Sequence, residues 1–206
     1  MSHSFVVPAE PVEVEEIIKR SRFLTVIERV QNGAEARALQ ARLKAVHPEA
    51  SHHCLAFVAG PPGCTRDIGA SDDGEPAGSA GRPMLNVLLG CEVGQLAAVC
   101  VRYYGGTKLG VGGLVRAYAG GVKLALESLK SIPFVPMVSV EVRGDYGDLP
   151  LVEYLVAQHR GEVLAQHFDA GVRLELALPQ SALSAFEGDL RQRSAGRLEV
   201  DKPSQG

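Results

Sequence analysis

The stretch Arg102-Tyr103-Tyr104-Gly105-Gly106-Thr107-Lys108-Leu109-Gly110-Val111-Gly112-Gly113-Leu114-Val115-Arg116 decides how the first part of the chain folds. Gln95 to Tyr104, with the apolar run Leu96 to Val101 inside it, reads as a buried strand. Gly105 to Gly113 is a glycine loop, and a helix follows from Leu114 to Leu129 with Leu114, Tyr118, Val122, Ala125 and Leu129 on one face. A strand that passes through glycines directly into a helix N-terminus presents free backbone N–H groups, and the helix dipole adds positive potential there. Arg102, Lys108 and Arg116 contribute full charges. On the helix, Arg116, Lys123, Glu127 and Lys130 recur at spacings that give one mainly cationic face. Arg102, Tyr103, Tyr104, Gly105, Gly106, Lys108, Gly110, Gly112, Gly113, Arg116 and Lys123 therefore form a candidate nucleic-acid or anion-binding set. No Gly-Lys-Ser/Thr follows, so the loop is not a Walker loop, and Gly110-x-Gly112-Gly113 is a poor match to the dinucleotide fingerprint. The same glycines also suit close packing of the helix on the sheet, with the tyrosines in the core.

Working outward, fifteen of the 23 glycines fall between Gly60 and Gly121, so unusual main-chain geometry is concentrated in the middle third. Upstream, Val12 to Ile18 and Phe23 to Val30 read as two strands joined at Lys19-Arg20-Ser21, and Asn32-Gly33 ends the hairpin. A helix over Ala34–Val46, a strand over His53–Ala59, a long loop over Gly60–Gly81 and a short helix over Pro83–Leu89 complete this part. Ile132-Pro133-Phe134-Val135-Pro136 reads as a linker, giving domains at 1–132 and 137–206. Beyond it the order is strand Met137–Val142, helix Asp148–His159, strands Val163–Phe168 and Val172–Leu178, helix Ser181–Gln192 and strand Arg197–Val200, with a tight turn at Asp169-Ala170-Gly171. This βαββαβ order is that of a ferredoxin-like two-layer sandwich. Its polar residues fall at turns and outer helix faces, as in an interaction or packing module.

Two further clusters carry potential chemistry. Ser71-Asp72-Asp73-Gly74-Glu75-Pro76 places three carboxylates in four residues, which repel unless a cation or an arginine separates them. They suit either a structural acid–base network or Mg²⁺ held on a phosphate. In His52-His53-Cys54, strand alternation sends His52 and Cys54 to one face and His53 to the other. The pattern allows a cysteine–histidine nucleophile pair or histidines hydrogen-bonded to the acidic loop.

The chain has 206 residues, 46% of them apolar and 22% charged, which fits one large or two small globular domains. The longest apolar run, Leu96 to Val101, is far short of the roughly twenty residues a membrane helix needs. The N-terminus shows no basic start followed by an apolar stretch, and Cys54, Cys64, Cys91 and Cys100 form no CxxC pair. A cytoplasmic protein with reduced thiols is expected. The net charge of −3 argues against coating nucleic acid by bulk charge. Residues 1–135 carry a balance of +1 and residues 136–206 one of −4, so an anion contact is expected from a local patch in the first part.

Lys19-Arg20-Ser21-Arg22-Phe23, the His-His-Cys of 52–54, the run from Ser71 to Pro83 and the run from Val101 to Tyr118 together resemble the IMPACT family in its bacterial branch. Ser79 and Arg82 stand where the family pattern often has threonine and lysine, and Arg20 is inserted into the usual Lys-Ser pair. The resemblance implies an α+β protein. Its N-terminal domain would be of the left-handed βαβ kind, found in a small-subunit ribosomal protein and in domain IV of elongation factor G. Its C-terminal domain would be ferredoxin-like, similar to domain V of that factor. It also implies a translation-associated protein that contacts structured RNA or the ribosome; neither a membrane role nor a cofactor is expected. A protein partner would be met through the C-terminal domain. The alternative is a Mg²⁺-dependent enzyme acting on a nucleotide or phosphorylated small molecule. There Asp72, Asp73 and Glu75 would hold the metal, and His52 or His53 would move protons.

Overall fold

The computed structural model describes residues 4–168 and 171–201, with five helices and three sheets among them. The chain separates into two compact units, Phe5–Phe134 and the part from Val135 onward. The expected turn residues Asp169 and Ala170 lie outside the described residues.

The first unit is built on a five-stranded sheet of β2 (Val12–Ile18), β3 (Ser21–Arg29), β4 (His52–Val58), β5 (Ile68–Ser71) and β6 (Leu96–Tyr103). Their spatial order is β2-β3-β6-β4-β5, antiparallel throughout. Helix α1 (Gly33–Val46) covers one face, where Leu39 and Leu43 meet Leu24, Leu55, Phe57, Val99 and Val101. Helices α2 (Gly81–Leu89) and α3 (Val111–Ser128) cover the other, where Met84, Leu88, Tyr118 and Val122 meet Phe23, Ile27, Cys54 and Cys100. Strands β4 and β6 are therefore buried on both faces, which explains why they are apolar without alternation. Asn32 caps α1 by accepting from the Glu35 amide at 2.9 Å.

Three short strands depart from the sequence reading. Ile132-Pro133-Phe134 is not linker: Ser131–Phe134 is strand β7, antiparallel to β1 (Phe5–Pro8). This sheet has only two strands, with a single further bridge from Val6 to Val93, so Pro8 and Pro133 need not donate to a ladder. Strand β5 lies inside the segment read as one long loop.

In the second unit, β8 (Met137–Gly144), a 3₁₀ turn at Tyr146–Asp148, α4 (Leu149–Gln158), β9 (Glu162–Phe168), β10 (Val172–Pro179), α5 (Leu183–Arg193) and β11 (Val200–Asp201) follow the expected βαββαβ order. The sheet order is β11-β8-β10-β9. Alternate residues Val140, Val142, Leu174, Leu176 and Leu178 pack under Leu155, Phe186 and Leu190 of the two helices.

Candidate nucleic-acid interface

Strand β6 delivers its last residues to different destinations. Arg102 points under α3 and is 5% exposed. Its Nη1 donates to Glu75 Oε1 at 2.6 Å and its Nη2 to Ser21 Oγ at 3.4 Å, while its guanidinium lies between the rings of Phe23 and Tyr104. An arginine whose charge is sealed against a carboxylate is not free for a phosphate, so Arg102 leaves the anion-binding set and becomes its support. Tyr103 faces the α1 side, as strand alternation requires, and its hydroxyl lies 2.8 Å from His47 Nδ1. It too is withdrawn from the loop. Tyr104 is 49% exposed at the strand end.

The glycine loop is open. Gly105 is required by a backbone contact: a Cβ there would stand 2.0 Å from the Arg20 carbonyl oxygen. Its amide donates to Ser21 Oγ at 3.2 Å. The β2–β3 turn is thereby held against the loop, with Lys19 and Arg20 both in the left-handed region at φ 47° and 67°. Gly106 and Gly110 have φ of 79° and 75°, and a side chain at either would meet nothing within 4 Å. Gly110 precedes the first turn of α3, where no side chain caps the amides of Val111, Gly112 and Gly113. Lys108 and Arg116 are exposed, and among the described residues neither has an ion-pair partner.

The structure thus brings together Tyr104, Gly105, Gly106, Lys108, Gly110, Gly112, Gly113 and Arg116 around the start of α3. Lys123 is not among them. It lies about 10 Å further along the axis than Arg116 and lines a groove between α2 and α3 with Asn86 and Cys91. Lys19 and Arg20 are the cations that sequence reading missed. Their turn was visible, but its docking on Gly105 is a long-range contact that no local pattern announces.

The acidic loop is spent on structure. Asp72 accepts from the amides of Gly78, Ala80 and Gly81 at 2.7, 3.0 and 2.8 Å, which caps the start of α2. Burial works against its charge, but these amides outweigh it and hold its carboxyl below the ordinary range. Asp73 takes Lys44 Nζ at 2.5 Å and the His53 amide at 2.7 Å, which likewise overcome desolvation and lower its pKa. Glu75 accepts from Arg102 and, at 2.7 Å, from the Tyr118 hydroxyl. Each carboxylate has a different partner, and no metal-binding group of three His, Cys, Asp or Glu exists among the described residues. The Mg²⁺ set of the alternative reading, Asp72, Asp73 and Glu75, does not converge, because each acid is drawn to a different donor.

The histidines follow the alternation. His52 Nδ1–H donates to the Asp73 carbonyl at 2.9 Å, and its Nε2 is 3.8 Å from Glu75. His53 lies on the α1 side, where Nε2–H donates to the His47 carbonyl at 3.1 Å and burial lowers its pKa. The Cys54 thiol donates to the Asp72 carbonyl at 3.0 Å, and burial pushes its pKa far up. A thiol held protonated in this way is no nucleophile.

Comparison with known proteins agrees with this frame. The Impact N-terminal domain matches residues 19–126 and a domain of unknown function, DUF1949, matches residues 142–197. An IMPACT family member from Haemophilus influenzae is 45% identical over 95% of both chains. The IMPACT family member YigZ of Escherichia coli is 43% identical, covering 96% of this chain and 97% of its own. YvyE of Bacillus subtilis is 32% identical, covering 97% and 91%. A solved structure titled as the crystal structure of a hypothetical protein aligns along the full length of both chains with a TM-score of 0.76 and 41% identity. With a family domain spanning more than half its length and relatives matching nearly all of it, the chain belongs to the IMPACT family.

Proposed function

We propose that this chain is a translation-associated protein that binds structured RNA or the ribosome in the cytoplasm, gripping backbone phosphates at the start of α3. One observation carries the reading. On a chain of net charge −3, Lys19, Arg20, Lys108 and Arg116 have no acidic partner within ion-pair distance among the described residues, and they lie near uncapped glycine amides. Unpaired cations beside free N–H groups suit an anionic backbone, and exposed Tyr104 offers a surface for an unstacked base.

The likeness to a translation factor supports the same direction. In the first unit, β3 and β4 run parallel on either side of β6 and are linked through α1, which suits the βαβ crossover of domain IV of elongation factor G. The strand order of the second unit suits the ferredoxin-like domain V. On that second unit, Tyr154, Leu164 and Phe168 are each more than half exposed, which leaves apolar side chains within reach of a protein partner. Sedimentation of a lysate through sucrose tests the reading. The chain is expected with ribosomal particles at low salt, and recovery only at the top of the gradient would refute it.

A further inference from the structure

Strand β2 breaks its own pattern. Val12, Val14, Glu16 and Ile18 alternate toward α3, whereas Glu13, Glu15 and Ile17 point away. A carboxylate thus occupies the inward row while its neighbour Ile17 is 72% exposed. Glu16 pairs in register with Phe23, whose ring is in the core beneath α3. Among the described residues its Oε2, like Ser79 Oγ and Arg102 Nε, is buried without a hydrogen-bond partner. A buried acceptor without a donor is costly, and a ligand that brings a donor to this carboxylate would relieve that cost.

Glu16 lines a cavity of about 190 Å³ beside the glycine loop. Leu109, Gly113 and Gly120 bound it, and the other charged groups lining it are Lys19 and Arg116, both exposed and unpaired among the described residues. An acceptor flanked by two cations matches a ligand that carries hydrogen-bond donors and an anion. The volume is below the roughly 300 Å³ of pockets that enclose a whole small molecule, so it suits one ring of something larger.

We propose that this cavity receives one nucleotide of the bound RNA, its base N–H groups donating to Glu16 and its phosphate held by Lys19 and Arg116. The inference rests on the RNA reading for the identity of the larger molecule. Guanine carries two adjacent N–H donors, the kind of group this carboxylate lacks.

The probes are guanosine 5′-monophosphate, guanosine and inorganic phosphate, titrated into the ¹⁵N-labelled full chain and followed by amide shifts. The monophosphate is expected to move the amides of Glu16, Gly113 and Gly120. Glu16→Gln, at an unchanged melting temperature or a higher one, is expected to weaken it at least tenfold with phosphate affinity unaltered. Arg116→Ala, at an exposed position, is expected to weaken the monophosphate but not guanosine. If Glu16 merely repelled phosphate, Glu16→Gln would tighten binding, and that result overturns the proposal, as does the absence of any nucleotide shift. A structured RNA is titrated in parallel. Glu16-dependent nucleotide binding without RNA binding leaves the cavity assigned and refutes the RNA reading. RNA binding with nucleotide affinity indifferent to Glu16 refutes the cavity alone.

Discussion

Glu75 and Arg102 close a buried ion pair at 2.6 Å, and the Tyr118 hydroxyl donates to the same carboxylate oxygen at 2.7 Å. The pair joins the acidic loop to β6 and α3, so the two motif-rich loops of the sequence meet through a sealed contact beneath the open one. From Arg102 the connection passes to Ser21, whose hydroxyl also accepts the Gly105 amide. The exposed glycine loop is thus founded on a polar network that excludes solvent, and its shape depends on groups that touch no ligand.

Removing one partner leaves the other buried and uncompensated. Glu75→Ala is expected to destabilise the protein by about 3–5 kcal/mol, because the side chains of Glu75 and Arg102 are only 3% and 6% exposed. Tyr118→Phe, which deletes one donor and keeps the ring on Phe23, is expected to cost about 1–2 kcal/mol. Urea unfolding of both variants measures these losses. Equal and negligible effects would show that the network carries no weight.

Asp72 and Asp73 give the acid limb of stability. Both carboxyls are held below their ordinary values in the folded state, so each contributes stability that is present above the unfolded carboxyl pKa and is lost as pH falls through the lower folded value. Thermal unfolding is expected to drop steeply below about pH 4. In Asp72→Asn that drop becomes shallower, while stability at pH 7 falls by about 1–2 kcal/mol as the cap on α2 weakens. An unchanged acid limb would contradict the assignment.

His53 acts in a neighbouring window. Burial lowers its pKa in the folded protein, so the unfolded chain takes up a proton first as pH falls below about 6.5, and folding weakens until the native ring also titrates. Ring-proton NMR is expected to show one histidine titrating below the ordinary imidazole value, and His53→Gln is expected to remove its signal. If the His53 signal titrates at or above the ordinary imidazole value, the burial argument fails.

Adjacent glycines separate two kinds of constraint. Gly105→Ala drives a Cβ into the Arg20 carbonyl at 2.0 Å, whereas Gly106→Ala meets open space and bears only the strain of φ 79°. The Gly106 change is expected to cost about 1 kcal/mol. The Gly105 change must shift the Lys19-Arg20 turn, and is expected to cost several times more and to weaken RNA binding. Calorimetry and a binding titration compare the two. Equal losses would mean the turn is not seated on Gly105.

Much of this was legible in the chain because each signal was local. Periodicity marked α1, α2, α3, the central strands and the whole βαββαβ unit, and alternation separated His52 and Cys54 from His53. The short strands β1, β5 and β7 were not legible: each has four residues, β1 and β7 are partners far apart in sequence and contain prolines, and β5 sits among glycines and turns. The same limit governs the site. The exposed glycines, Lys108 and Arg116 stand beside one another in sequence and were found together. The withdrawal of Arg102 required Glu75, 27 positions away, and the arrival of Lys19 and Arg20 required their turn to dock on Gly105. Charge type was readable from the sequence, but whether a charge is spent internally depends on tertiary contact.

The most direct test of the RNA reading is the affinity of the full chain for a fluorescently labelled structured RNA across a range of potassium chloride concentrations. The wild-type affinity is expected to fall linearly on logarithmic axes, as phosphate contacts require. With Lys108→Ala and Arg116→Ala combined, binding is expected to weaken at least tenfold, and the slope to lose about two units. A double variant with wild-type affinity and an unchanged slope would place phosphate contacts elsewhere and contradict the role given to the loop.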